Sequence, residues 1–242
     1  FWINEAADSD VGYARETIDS VDIVGCDYYA VRGSGTDLLS VGRLVDRWDA
    51  IGYGRPVWMV LQGFSWHAIK PERALLYPSF EESRFMAYDS IVRGAKGIFY
   101  WGTNTIDDPK SPPPPPPTTS ELSAIEPMLV GKTMVSATTK VIDDLFDPAG
   151  VGVRVLVKER GSDTLVILVN EDSHRHLGVD VMGLENLEGR TLHRLYGDER
   201  QTVKRKGFVT RMQGYEVKVF CTNPIYQSSR QLGRDYVSSA QE

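Results

Sequence analysis

The chain has 242 residues, a formal net charge of −6 and a hydrophobic fraction of 41%. This length fits one (β/α)8 barrel or two smaller domains, and the composition excludes a globally disordered chain. The sequence carries no basic stripe and no apolar run near the ~20 residues that span a bilayer, so neither nucleic acid nor a membrane is an expected partner.

Residues 1–105 alternate between apolar segments and amphipathic segments. The predicted strands are 1–5, 21–29, 57–64 and 97–101, and the predicted helices are 10–20, 38–51 and 80–93. Strands that are apolar throughout and alternate with amphipathic helices are typical of a parallel sheet with both faces covered. Because the sequence opens inside a strand, we expect the natural N-terminus to lie upstream, and we expect residues 1–5 to pair in parallel with 21–29.

Six consecutive prolines at 112–117 follow this part of the chain. They predict an exposed polyproline II loop or spacer, with a ligand for a proline-recognising module as the alternative. Residues 120–125 predict a short helix with Ser120 as its N-cap.

From residue 151 onward, short strands alternate with turns that contain glycine, a pattern typical of a β-sandwich. The predicted strands are 151–158, 164–170, 177–182, 191–196, 201–206 and 215–221. We therefore divide the chain into an α/β domain at 1–130, a linker at 131–149, a β-sandwich domain at 150–222 and a polar tail at 223–242.

The predicted parallel strands end in polar or aromatic residues, and parallel α/β enzymes keep their chemistry at this end of the sheet. These residues are Asn4, Glu5, Asp27, Tyr29, Gln62 and Trp101. Strand parity directs Asp27 and Tyr29 to the same face as Ile23 and Gly25. Glu81, Glu82 and Arg84 begin a helix and are interpreted as cap and ion-pair residues.

Three segments resemble the second half of a (β/α)8 glycoside hydrolase of the β-galactosidase-like retaining clan. They are DIVGCDYYAV, GRPVWMVLQGFSW and EESRFMAYDSIVRGAKGIFYWG, and the late GFVTRMQGYEVKVF strand pair resembles the β-sandwich that often follows such barrels. The resemblance, together with roughly 30 residues per β/α unit, implies that this chain holds strands five to eight. The missing N-terminal half of the barrel, in the same protein or a second chain, would then be a partner.

In the resembled clan an Asn-Glu pair ends strand four and a nucleophilic Glu ends strand seven. Asn4 and Glu5 match the first motif in sequence, although the strand count puts them on strand five. Gln62 stands at the nucleophile position, where an amide cannot attack an anomeric carbon. Gln62 then binds a sugar hydroxyl, orients a water or an acetamido group, or is an amide satisfied within the barrel mouth.

Asp27 is the strongest carboxylate candidate, as a general base or as a group that holds a sugar hydroxyl, with a purely structural role as the alternative. Tyr29 resembles the tyrosine that hydrogen-bonds the nucleophile in the clan. Trp66 and Trp101 are candidates for stacking on sugar rings, or else core aromatics. The candidate catalytic residues are thus Glu5 and Asp27, and the candidate substrate-binding residues are Asn4, Tyr29, Gln62, Trp66 and Trp101.

Cofactor and metal signals are absent from the sequence. The four histidines form no metal-binding pattern, and no glycine-rich phosphate-binding motif is present. The two cysteines, Cys26 and Cys221, lie far apart and are expected to be buried free thiols.

The leading functional hypothesis is hydrolysis of a glycosidic bond in an oligo- or polysaccharide, with a carbohydrate as the partner and no cofactor. The first alternative is a glycan-binding protein that has lost its nucleophile. The second is a structural module whose sandwich mediates assembly.

Overall fold

The computed structural model describes residues 1–102, 116–142 and 152–229. The chain divides into two compact units, residues 1–116 and residues 117–242. The polyproline expectation concerns residues 112–117 and falls mainly outside the described residues, as does most of the expected tail at 223–242.

The first unit contains a four-stranded parallel sheet in the order β1-β2-β3-β4. The strands are β1 (Glu5–Ala6), β2 (Val24–Asp27), β3 (Val57–Gln62) and β4 (Gly97–Trp101), and the helices are α1 (Val11–Thr17), α2 (Leu39–Gly52) and α3 (Phe80–Val92). Trp2 bridges Ile23 in parallel and Glu5 pairs with Cys26. The expected parallel pairing of residues 1–5 with 21–29 is therefore confirmed.

Local sequence explains where the helices of this unit begin and end. Ser79 and Glu82 form a reciprocal capping box at the start of α3, which confirms the cap interpretation of Glu82. Helix α2 ends at Gly52, and the next residue, Tyr53, adopts the left-handed conformation with φ 52. A left-handed residue just past the last turn is a common way for a helix to end.

The register gives the parallel sheet two distinct faces. One face carries Val24, Cys26 and Met59, which are fully buried. Helix α2 packs on this face, since a Cβ on Gly52 would lie 2.7 Å from Val24 Cγ2. Burial raises the pKa of the Cys26 thiol to about 12, as expected for a buried free thiol.

The opposite face, here called the open face, carries exposed aromatic side chains. Trp2, Phe99 and Trp101 are 39%, 41% and 46% exposed. Trp2 stacks on Phe99 with ring centroids 5.1 Å apart, and both rings contact Trp58. Gly97 leaves room for the Trp58 indole, because a Cβ there would lie 2.6 Å from Trp58 Cδ1.

The second unit contains helix α4 (Pro116–Leu129) and two antiparallel sheets. The six-stranded sheet has the order β11-β10-β13-β8-β7-β5, and the three-stranded sheet has the order β12-β9-β6. The strands are β5 (Lys132–Met134), β6 (Thr138–Val141), β7 (Val153–Arg160), β8 (Asp163–Asn170), β9 (Leu177–Met182), β10 (Thr191–Arg194), β11 (Arg200–Thr202), β12 (Phe208–Met212) and β13 (Val217–Cys221). Side chains from both sheets form one buried apolar cluster, with Phe208 and Phe220 in contact across it.

Three expectations for this region need correction. Residues 132–134 and 138–141, expected in a linker, are edge strands that pair with β7 and β9. The late strand pair does not pair with itself, because β12 joins β9 and β13 joins β8. Helix α4 begins four residues before Ser120, since proline is compatible with the first turn of a helix.

Candidate functional site

Three strands of the parallel sheet end side by side with candidate site residues. Asp27, Gln62 and Trp101 are the last residues of β2, β3 and β4, and Gln62 lies in register with Trp101. Asp27 leaves the sheet on the open face, because its neighbour in the strand, Cys26, faces helix α2. The parallel arrangement therefore gathers these residues at one edge of the sheet.

Asp27 and Tyr29 form a hydrogen-bonded pair at this edge. The Tyr29 hydroxyl donates to Asp27 Oδ2 over 2.9 Å. Burial, followed by this hydrogen bond and the negative charge of Asp27, raises the pKa of Tyr29. Tyr29 therefore stays protonated at neutral pH and holds the Asp27 carboxylate in a fixed orientation.

An aromatic cluster surrounds this pair. The Tyr29 ring stacks on Trp101 at 5.6 Å and contacts the edges of Phe64 at 5.0 Å and Trp66 at 6.1 Å. Phe64 also contacts Trp66 and Trp101. Because Trp101 is 46% exposed and Tyr29 occupies one side of it, its indole presents an apolar surface to solvent beside the carboxylate.

Gln62 does not face an open site. It is 1% exposed, and its Oε1 accepts from the Val31 N–H over 2.8 Å. Its Nε2 donates to the carbonyls of Val31 and Phe64 over 3.0 and 2.9 Å. Among the alternatives for Gln62, this geometry is that of a satisfied amide: it joins the loop after β2 to the turn after β3, and both of its N–H donors have partners.

Glu5 and Asp27 do not form a carboxylate pair. Glu5 lies in register with Cys26, whereas Asp27 lies in register with Ala6, so the two side chains leave the sheet on opposite faces. The Ser9 hydroxyl donates to Glu5 Oε2 over 3.0 Å. The structure thus separates the two candidate catalytic residues, because a shift of one residue along a strand reverses the face.

The other two candidate residues, Asn4 and Trp66, lie in different surroundings. Asn4 is exposed, and the register of β1 aligns it with Gly25 on the open face. Trp66 lies beside Tyr29 in a short 3-10 turn, Trp66–Ala68. The guanidinium carbons of Arg32 and Arg73 lie 5.6 and 5.5 Å from the centroid of its ring.

Sequence reasoning missed Phe64, Arg32 and Arg73. Phe64 lies two residues after Gln62. The aromatic residues near this strand end are only a weak indication that Phe64 belongs to the site. The two arginines lie in loops, where no periodicity constrains side-chain direction. Nothing in the sequence indicates that they meet at Trp66.

Among residues 1–102, 116–142 and 152–229, no group of three or more His, Cys, Asp or Glu side chains is placed to hold a metal ion. No helix of the described parts is both long and apolar enough to cross a membrane.

Comparison with known proteins gives only distant structural similarity. No family model matches the sequence, and no curated protein sequence matches it. A glycoside hydrolase family 30 endoxylanase from Clostridium papyrosolvens C71 is similar, with 14% identity and a TM-score of 0.46. The match covers 85% of this chain and 50% of that one. A family 30 subfamily 8 xylanase, Xyn30A, from Clostridium acetobutylicum gives 11% identity and a TM-score of 0.48, over 91% and 55%.

A third similar structure is that of AmyP in complex with maltose, with 8% identity and a TM-score of 0.49 over 92% of this chain and 63% of that one. The present chain thus spans between half and two thirds of the length of these proteins. At these identities and TM-scores, the comparisons assign no activity to this chain.

Proposed function

We propose that the strand ends of the parallel sheet form a saccharide-binding site. One observation carries the proposal: the half-exposed indole of Trp101 stacks on Tyr29, whose hydroxyl is bonded to the Asp27 carboxylate. A sugar ring has a flat face of C–H groups and a rim of hydroxyls. Trp101 suits the face, and the free oxygen of Asp27 suits a hydroxyl as a charge-assisted acceptor.

The sheet that carries this site fits the second half of a (β/α)8 barrel. Its four parallel strands follow one another in chain order, and helix α2 covers one face. The other face exposes Trp2, Phe99 and Trp101, large aromatics that a complete barrel buries or uses. The proposed partner for this face is the N-terminal half of the barrel, supplied by the same protein or a second chain.

Hydrolysis of a glycosidic bond is the second candidate function. Glycoside hydrolysis needs two carboxyl groups, about 5–5.5 Å apart for retention and about 6.5–9.5 Å apart for inversion. Asp27, at the end of its strand and oriented by Tyr29, is suited to be one of them. Glu5 is not suited to be the other, because it leaves the opposite face of the sheet. A second carboxylate would therefore come from outside the strands described here.

One set of measurements on the 242-residue chain distinguishes the two candidate functions, saccharide binding and hydrolysis. Cellohexaose, xylohexaose, maltohexaose and α-1,4-galactohexaose are titrated by calorimetry, and release of reducing ends is assayed in parallel. We expect one of them to bind without being cleaved. Trp101→Ala is expected to weaken binding by at least about fivefold, as is typical for loss of an aromatic contact.

Trp2→Ala is the matched control, since Trp2 is also an exposed tryptophan but lies toward the other end of the strands. Equal weakening by the two variants contradicts the proposed site, as does a failure of these four neutral sugars together with their acidic counterparts to bind. Release of reducing ends that Asp27→Asn abolishes establishes the hydrolytic alternative instead.

A further inference from the structure

Two arginines from separate loops meet at one indole beside the proposed saccharide site. The Cζ atoms of Arg32 and Arg73 lie within 5.6 Å of the centroid of Trp66. Trp66 itself contacts Tyr29, which is bonded to Asp27. Two fixed positive charges are thereby held one aromatic ring away from the Asp27–Tyr29 pair.

Arg32 is oriented before any ligand arrives. Its Nε donates to the Tyr29 carbonyl over 2.9 Å, and its guanidinium also lies 5.2 Å from the centroid of Tyr28. Within the described residues, neither of its two terminal nitrogens makes a hydrogen bond. A guanidinium held in this way loses little conformational entropy when it binds a carboxylate through those nitrogens.

Neither arginine is neutralised by a carboxylate within the part of the chain that the structure describes. Within the same residues, five arginines do form ion pairs: Arg55, Arg93, Arg154, Arg175 and Arg194. Both Arg32 and Arg73 are exposed to solvent, and each keeps donors in the planar arrangement that matches a carboxylate. Their shared position beside a candidate sugar site therefore points to an anionic group on the ligand.

We infer that the site takes an acidic saccharide, whose uronic acid carboxylates bind the arginines at Trp66, Arg32 and Arg73. This inference rests on the proposed saccharide-binding function and specifies its substrate class. The carboxylate of the sugar has to avoid the like charge of Asp27. It therefore binds on the Trp66 side of Tyr29, while a neighbouring sugar ring of the same oligosaccharide lies on Trp101.

The test compares matched acidic and neutral ligands on the whole chain by calorimetry. The acidic probes are β-1,4-linked hexaglucuronate and α-1,4-linked hexagalacturonate, and the neutral probes are cellohexaose and α-1,4-galactohexaose, in which each carboxyl group is replaced by a hydroxymethyl group. We expect one acidic probe to bind about tenfold or more tightly than its neutral counterpart, with an affinity that falls as salt rises. Arg32→Gln and Arg73→Gln are each expected to remove most of this preference.

Arg43→Gln is the matched control, because Arg43 is an exposed arginine on helix α2. Equal affinity for acidic and neutral probes, or arginine variants that behave like Arg43→Gln, overturns the inference and leaves neutral saccharide binding intact. Acidic binding that survives Trp101→Ala unchanged also overturns it, because the ligand then lies outside the proposed site. If no acidic or neutral probe binds, both the saccharide site and the inference fail.

Discussion

Asp27 and Glu5 lie on adjacent parallel strands but leave the sheet on opposite faces, since Glu5 pairs with Cys26 and Ala6 pairs with Asp27. Cys26 is fully buried on the face that helix α2 covers, and Asp27 stands on the open face, bonded to Tyr29, whose ring stacks on Trp101. Two carboxylates divided by the sheet cannot act on one substrate. Because Asp27 and Glu5 lie on opposite faces of adjacent strands, substituting each in turn tests which face binds the saccharide.

The first prediction concerns this pair. We expect Asp27→Asn to weaken saccharide binding by about tenfold, as for the loss of one charge-assisted hydrogen bond. Glu5→Gln is expected to leave the affinity within about twofold, because Glu5 is on the far face. Calorimetry with a neutral saccharide that binds the wild-type chain measures both, because with an acidic saccharide the loss of the Asp27 charge would also remove a repulsion. Equal losses from the two substitutions contradict the assignment of the site to the open face.

The second prediction concerns Gln62. Gln62→Ala leaves the N–H of Val31 and the carbonyls of Val31 and Phe64 without their partner. Buried unsatisfied groups cost about 1–3 kcal/mol each, and partial relaxation leads us to expect a loss of about 2–4 kcal/mol in the unfolding free energy of the first unit. All five tryptophans lie between residues 2 and 101, so tryptophan fluorescence during urea unfolding reports on this unit.

Gln62→Glu separates this structural role from a catalytic one. A carboxylate at this position faces two carbonyl oxygens and is buried, so its pKa is expected to rise. The folded state then binds a proton that the unfolded state has lost, and stability falls as pH rises from about 4 to about 7. Gain of sugar cleavage by this variant, without such a loss of stability, contradicts the structural assignment.

The fold of the first unit could be predicted because its signals are local. The apolar run of β3 is almost entirely buried, and the Ser79–Glu82 capping box marks the start of α3. Strands β5 and β6 escaped prediction because they are short and mostly polar, and because their partners lie between about 20 and 40 residues away in the chain.

The residues of the candidate site could be predicted only where alternation along a strand determines which face of the sheet a side chain occupies. Parity within one strand brings Asp27 and Tyr29 to the same side, and the strand end supplies Trp101. The face of the sheet on which Glu5 lies depends on the register between β1 and β2. A shift of one residue reverses that face, and a sequence pattern does not determine the register this finely. The amide of Gln62 and the arginines at Trp66 depend on loop conformations, for which periodicity gives no signal.

The third prediction concerns Tyr29. Burial, the hydrogen bond to Asp27 and its negative charge raise the pKa of Tyr29 above the usual value. A raised folded-state pKa means that this contribution to stability is complete below the unfolded pKa of about 10 and is lost as pH rises beyond it. Urea unfolding followed by tryptophan fluorescence at about pH 8 and at about pH 11 should therefore show a loss of stability that Tyr29→Phe reduces.

Tyr13→Phe provides the control for general alkaline effects, since Tyr13 is 58% exposed. It should leave the loss of stability between the two pH values unchanged. If Tyr29→Phe also leaves it unchanged, the phenol does not hold its proton in the way that the Asp27 contact implies.

The fourth prediction concerns an ion pair of the six-stranded sheet that is hydrogen-bonded to the three-stranded sheet of the second unit. Lys218 Nζ lies 2.6 Å from Glu199 Oε2 and donates to Thr210 Oγ1 over 3.1 Å. Lys218 shares its face of β13 with the core residue Phe220, and Thr210 lies on β12 of the other sheet. Thr210 also donates to Glu199 Oε1 over 2.8 Å, so its hydrogen bonds to the two members of the pair link the sheets.

The protonation of Glu199 sets the pH range of this link. Partial burial acts to raise its pKa, but the hydrogen bonds from Lys218, Gln201 and Thr210 outweigh burial and lower it. A lowered folded-state pKa means that the stabilisation is present above the unfolded pKa of about 4.3 and is lost as pH falls through the folded value. Hydrogen exchange of the β13 amides should accelerate, relative to intrinsic rates, between about pH 5 and about pH 3.

Glu199→Gln should remove most of that acid-dependent change, because the glutamine carries no charge to neutralise. Glu185→Gln is the matched control: Glu185 pairs with Lys206 at 3.7 Å, and both side chains are more than half exposed. An exposed pair contributes little to stability, so this variant should behave like the wild-type chain. If the two variants respond alike to acid, the link between the sheets is held by packing around Phe220 and not by the Lys218–Glu199 pair.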